Sequence, residues 1–150
     1  MANTYTQLYV HIVFAVHARE PLIAESYREE VERYISGIIA NHKCKLLAIY
    51  CNPDHTHLLI GLHPTISLSD LVREIKSSSS RFINEKGWIH GRFNWQDGFG
   101  AFSYGRSQMD SVVKYILNQP VHHQTTSFES EYVETLKKFG VEYDEQYVFD

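Results

Sequence analysis

Two cysteines in 150 residues, Cys44 and Cys51, are too few for a disulfide framework and are not spaced as a CxxC zinc pair. They flank a predicted strand at an odd separation. That places them on opposite faces, as buried free thiols. No apolar run approaches the roughly 18 residues that span a bilayer. The polar start, Met1 to Gln7, lacks the charge-then-apolar pattern of a secretion signal, so the expected location is the cytoplasm. A general excess of positive charge is missing too: the net charge is −4, which argues mildly against nucleic-acid binding. Internal repeats, linkers and low-complexity tracts are absent apart from Ser77 to Ser80. What remains is one domain over residues 1–150, with an acidic tail over 141–150.

Aromatics, by contrast, are plentiful at 13%, and they need packing or stacking roles. Charge is unevenly spread. Between Asp70 and Pro120, seven basic residues face five acidic ones, whereas Glu129 to Asp150 carries seven acids against Lys137 and Lys138. A locally basic middle beside an acidic tail is compatible with a polyanion site. The candidate nucleic-acid contacts are Arg73, Lys76, Arg81, Arg92, Trp95 and Arg106. Ser77 to Ser80, beside Lys and Arg on the same predicted helix, could donate to phosphate oxygens, and a solvated face is at least as good a reading for any one of them. For the aromatic-rich loop Lys86 to Gly98, packing down competes with base stacking.

Alternating apolar residues predict a strand over Tyr5 to Val16, with His11 as a core or site-lining residue. Arg19-Glu20-Pro21 ends it, and 3.6-residue spacing of Tyr27, Val31, Ile35 and Ile38 predicts a helix from Glu25 to Asn41. Lys45 to Cys51 and His55 to Leu62 read as a hairpin about the turn Asn52-Pro53-Asp54. A helix follows from Leu68 to about Asn84, capped by Ser67 or Ser69. Phe99 to Tyr104 is a fourth strand. Ser107-Gln108-Met109-Asp110 has capping-box form and opens a helix from Gln108 to about Gln119, stopped by Pro120. A last helix spans Ser127 to Phe139. The order β-α-β-β-α-β plus two helices is the α+β, ferredoxin-like split βαβ with an antiparallel sheet. With helices on one face, the other is left for a partner or ligand.

The chemistry concentrates in Pro53 to Ile60, PDHTHLLI. Period-2 alternation puts His55 and His57 on one strand face, held in fixed relation as metal ligands must be. Late in the chain, Tyr115 and Gln119 stand four apart and share a helix face. Two imidazoles and an amide oxygen with open positions suit a phosphate-binding divalent cation such as Mg²⁺ or Mn²⁺. A phenol beside that cation is a candidate nucleophile. Its ordinary pKa near 10 demands help from the metal or a base. His11, His122 and His123 are the candidates, although His122 and His123 read better as capping a helix end or facing solvent.

PDHTHLLI, WQDGFGAFSYGRS and VVKYILNQPVHH, with the N-terminal LYVHIVFAV strand, resemble the single-tyrosine HUH transposases of bacterial insertion sequences and the related REP-associated tyrosine transposases. The resemblance covers nearly the whole chain in order. It departs at Thr56, where the motif has a bulky hydrophobic residue. It implies an endonuclease that cleaves and transfers single-stranded DNA at hairpin-bearing element ends. Tyr115 would form a 5′-phosphotyrosine and release a 3′-OH, and His55, His57 and Gln119 would hold the metal. It also implies a homodimer in which the tyrosine helix of one subunit completes the histidine site of the other. Two other readings use the same residues: a non-catalytic ferredoxin-like nucleic-acid binder, and a small metallohydrolase in which Tyr115 has no role.

Overall fold

The computed structural model describes residues 3–149. Met1 and Ala2, in the polar N-terminal stretch, and Asp150, the last of the acidic tail, lie outside the described residues. Four strands form one antiparallel sheet: β1 (Tyr9–Ala15), β2 (Lys45–Cys51), β3 (His55–Gly61) and β4 (Gly100–Tyr104), in the order β2-β3-β1-β4. Among the described residues five α-helices accompany it: α1 (Arg28–Asn41), α2 (Leu68–Lys86), α3 (Met109–Leu117), α4 (Gln119–His122) and α5 (Phe128–Lys138). This is the expected ferredoxin-like arrangement, with the non-local pairing of β1 against β3 and β4 at its centre.

Alternation along β1 and β3 divides the sheet into two faces. Ile12, Phe14, Leu58 and Ile60 go down into the main core under α1 and α2. Thr56 points there too and is fully buried, which is why a β-branched residue serves between the histidines. His55 and His57 go to the other face, where the register sets them opposite Ala15 and Val13. That face is not left free. Helix α3 covers Ala48 and Leu59 through Met109, Val112 and Ile116. Helix α5 covers Val13, Ala15 and Phe102 through Phe128 and Leu136. The histidines lie at the seam between these two apolar clusters.

Several boundaries move for identifiable reasons. Strand β1 begins at Tyr9, because Tyr5 stands in solvent at 92% exposure. Cys44 and Cys51 both join the main core as free thiols, rather than opposite faces, because a register irregularity between Leu46 and Ala48 resets the alternation. Helix α2 runs to Lys86, with the Ser67 side chain accepting from the Asp70 N–H at 3.0 Å and Gly87 closing it at φ 67°. Ser107 does not cap α3; instead the Gln108 side chain accepts from the Gly105 N–H at 3.0 Å, and Arg106–Gln108 is a 3-10 turn. The predicted helix through Gln119 breaks at Asn118 (φ −98°, ψ 15°). Pro120 then falls in the first turn of α4, where its missing N–H costs nothing. The acidic tail packs back on its own chain: Tyr143, Val148 and Phe149 join the α5 cluster, and Arg19 Nη1 donates to the Phe149 carbonyl at 2.7 Å.

Candidate active site

Strand β3 presents His55 and His57 at 1% and 2% exposure. Each ring has one nitrogen occupied behind and one facing inward. His55 Nδ1 bonds Asp54 Oδ1 at 2.6 Å, and His57 Nδ1 bonds His11 Nε2 at 2.8 Å. His11 therefore lines the site as expected, orienting His57 from the neighbouring strand. The inward atoms converge on Glu131 of α5. His57 Nε2 lies 3.0 Å and His55 Nε2 3.4 Å from Glu131 Oε1.

The break at Asn118 delivers the rest of the set. Tyr115, at the end of α3, donates its hydroxyl to Glu131 Oε2. Gln119 is fully buried; its Nε2 donates to Glu131 Oε2 at 3.1 Å, and its Oε1 accepts from Asn52 Nδ2 at 3.1 Å. His123 is neither a solvent-facing residue nor a simple cap. Its Nδ1 donates to the Thr126 carbonyl at 2.7 Å, while Nε2 enters the cluster 3.2 Å from Glu131 Oε1. His122 Nε2 stands 3.2 Å from Glu131 Oε2 without the alignment of a hydrogen bond. The structure thus brings together His55, His57, Tyr115 and Gln119 within one chain. It adds His123 and Glu131 to them.

Electrostatics in the pocket follow from burial and crowding. Burial holds His57 down to about 4, only partly offset by Glu131. Burial, with the charge of His57, takes His11 to about 3. Both rings are neutral near pH 7, as metal ligands and their supports must be. His55 behaves oppositely: burial opposes its charging, but Asp54 and Glu131 outweigh it and raise the pKa. For Glu131, burial opposes ionisation, yet hydrogen bonds from His123, His55 and His57 hold it far below the ordinary carboxylate range. Burial and the adjacent Glu131 carboxylate push the Tyr115 phenol well above its ordinary value. Without a further positive charge, then, the phenol keeps its proton. The donor chemistry therefore fits a divalent cation. Four side chains, His55, His57, His123 and Glu131, offer ligand atoms that all lie within 4.8 Å of one another.

The candidate DNA contacts separate into two groups. Arg73, Arg81, Arg92 and Arg106 are exposed, with Arg73 paired to Asp70 at 3.0 Å. Lys76 is committed internally, its Nζ donating to the carbonyls of Gln96, at 2.8 Å, and of Gly98. Trp95 is buried, edge-on to Phe14 and Phe93, with its indole N–H on Ser79 Oγ at 2.9 Å. It offers no open face for a base. Ser79 and Ser80 donate back to carbonyls of their own helix at 2.5 and 2.8 Å rather than outward.

Residues 4–119 match the family model for IS200-like transposases. The chain belongs to that family. Among curated relatives of this IS200-like chain is the ISDra2 transposase TnpA of Deinococcus radiodurans. It is 23% identical over 120 residues, which are 75% of this chain and 84% of that one. A Deinococcus radiodurans protein solved as a candidate transposase superposes with a TM-score of 0.62 at 21% identity, covering 79% of this chain and 95% of its own. A REP-associated tyrosine transposase bound to a REP hairpin superposes with a TM-score of 0.61 at 19% identity, covering 82% and 73%. These two structures share the fold.

Proposed function

We propose that this IS200-like transposase cleaves and rejoins single-stranded DNA at hairpin-bearing element ends, with Tyr115 as nucleophile and a divalent cation at His55 and His57. One observation carries the reading: the Tyr115 hydroxyl and both histidines meet on the same buried carboxylate, Glu131. In the step itself, Tyr115 Oη bonds to the scissile phosphorus and the P–O3′ bond breaks. The phenolic proton leaves Oη for solvent, Glu131 Oε2 having held the hydroxyl in place beforehand, and the departing 3′ oxygen takes up a proton to become a 3′-OH. When bound, the cation, Mg²⁺ or Mn²⁺, supplies Lewis-acid polarisation of the scissile phosphate. Gln119, the third ligand by resemblance, lies against the same donors through Glu131 and His123. The 5′-phosphotyrosine retains the energy of the broken phosphodiester, so rejoining consumes no nucleotide.

The hairpin partner is supported by the exposed arginines Arg73, Arg81, Arg92 and Arg106, and by the hairpin in the solved REP-associated relative. The homodimer is supported by Leu117 and Val121, apolar and 57% and 56% exposed beside Tyr115. The test is incubation with a labelled single-stranded hairpin and Mn²⁺ or Mg²⁺, followed by denaturing electrophoresis. The wild-type chain should yield a covalent adduct. Tyr115→Phe should yield none while binding the same DNA nearly as well. An adduct that persists in that variant removes Tyr115 from the role.

A further inference from the structure

We propose that the cavity between α3 and α5, walled by Tyr115, is a nucleobase site for the nucleotide that Tyr115 carries, and that it favours cytosine or guanine. The inference rests on the cleavage reading above. It gives a base-reading role to α5, which lies beyond the family match over residues 4–119.

The cavity holds about 380 Å³, with His11 of β1 at its floor. The Tyr104 and Tyr115 rings stand beside that imidazole, 6.2 and 6.3 Å away between centroids. Such a volume accepts a group of nucleoside size. Two carboxylates in the lining, Glu131 and Glu134, against one ammonium, Lys138, disfavour a phosphate there. A flat, neutral ring with polar edges fits better, since every base offers a face to aromatic side chains. Position argues the same way. A nucleotide joined to Tyr115 through its 5′ phosphate cannot diffuse away, and Tyr115 is itself part of the cavity wall.

The polar groups of the lining are left incomplete. Two buried imidazole nitrogens, His11 Nδ1 and His122 Nε2, have no hydrogen-bond partner among the described residues, and both rings line this cavity. His11, 3% exposed, commits its Nε2 to His57 Nδ1 at 2.8 Å. Whichever tautomer it holds, Nδ1 remains an N–H or a lone pair in need of a partner. His122 Nε2 stands 3.2 Å from Glu131 Oε2 without the alignment of a bond. A base edge reaching the floor supplies what the fold does not. At the rim, Glu134 and Lys138 are exposed and one helical turn apart on α5. The carboxylate accepts from an exocyclic amine, and the ammonium donates to a carbonyl. Cytosine and guanine carry both groups, whereas thymine lacks the amine and adenine lacks the carbonyl.

The test is nitrogen-detected NMR of the full chain, titrated without metal with deoxycytidine and, for comparison, with thymidine. Saturable shifts should centre on the Ser111 and Thr135 amides and on His11 Nδ1. Deoxycytidine should bind roughly fivefold more tightly than thymidine, the difference that one rim hydrogen bond makes. Ser111→Trp, at the exposed mouth, should remove the shifts, and Glu134→Ala should bring deoxycytidine down to the affinity of thymidine. Shifts centred elsewhere, equal affinities in the wild type, or no saturation would each overturn the assignment. The second arm is the adduct assay on hairpin DNA with a randomised single-stranded flank, followed by sequencing of the attached strand. Its 5′ nucleotide should be enriched in cytosine or guanine, and the enrichment should vanish with Glu134→Ala. An adduct without that enrichment sinks this inference alone. Nucleosides bound as expected, with no adduct from any flank under Mn²⁺ or Mg²⁺, sinks the cleavage reading and leaves the base site standing.

Discussion

At the scale of the residue, the site is a set of histidines whose protonation is decided by what stands behind them. Burial depresses His57 to about 4 and His11 to about 3, against 6.5 in an unfolded chain. A folded pKa below the unfolded one means that the unfolded chain binds protons first. For each ring, folding is undisturbed above pH 6.5 and loses stability as pH falls from there toward the folded value. Glu131, also depressed, adds to the same loss below its ordinary carboxylate pKa of 4.5. His55, with a raised pKa, works the other way, its contribution present at low pH and lost as pH rises through its folded value. Two lowered rings against one raised ring set the expected outcome. In metal-free buffer, the urea midpoint should fall steadily from about pH 6.5 to about pH 4, and His11→Gln should flatten that slope. A midpoint that is constant or rises on acidification would show that these rings titrate freely in the fold.

His55 and His57 were legible because a strand's period of 2 fixes their common face whatever surrounds it. Tyr115 was legible from its place in a motif, and the structure sets it against the histidine site. Glu131 was not, since a lone acid on an amphipathic helix ordinarily faces water. The signal was its position three residues after Phe128, on the side of α5 that turns toward the sheet. His123 was misread because its ligand-like orientation depends on a carbonyl, Thr126, that no sequence pattern marks.

At the scale of the element, periodicity found every strand and long helix, and the failures are at junctions. The bulge in β2 and the break at Asn118 are decided by tertiary fit. The second matters for function. A continuous helix would keep Tyr115 and Gln119 in one stripe, while the break starts a new turn that also carries His123 inward. The element most exposed to test is α5, which holds Glu131. Its N-cap, Ser127, accepts from the Ser130 N–H at 3.2 Å, and Glu129 and Glu131 stand in the first turn. Removing such a cap costs about 1 kcal/mol. Ser127→Ala should lower the thermal midpoint by a few degrees. In hydrogen exchange it should speed the first turns of α5 more than the β-sheet. Uniform acceleration, or none, would mean that α5 is held by Phe128 and Leu136 alone.

At the scale of the whole molecule, the question is whether one chain makes one site. The resemblance to HUH transposases brings an expectation of shared sites, with the tyrosine helix of one subunit reaching the histidines of another. Here the Tyr115 ring lies 5.8 Å from the His57 ring of the same chain, between centroids, and its hydroxyl is bonded to Glu131 of the same chain. Helix α3 is seated over β2 and β3 through Met109, Val112 and Ile116, all at 9% exposure or less. Swinging it to a partner would first expose that apolar cluster, which the same contacts on the partner would bury again, so packing alone favours neither arrangement. A complementation experiment decides between them. Tyr115→Phe retains the histidines and lacks the nucleophile; His57→Ala retains the nucleophile and lacks a ligand. Each alone should form no adduct with hairpin DNA. Mixed at equal concentration after joint unfolding and refolding, they should still form none if each site is built from one chain. If the helix exchanges, about half of randomly paired dimers would be mixed. Each mixed dimer would hold one intact site, and the adduct would return on the His57→Ala chain. That recovery would show that Leu117 and Val121, exposed at the end of α3, mark the face across which tyrosine helices trade places.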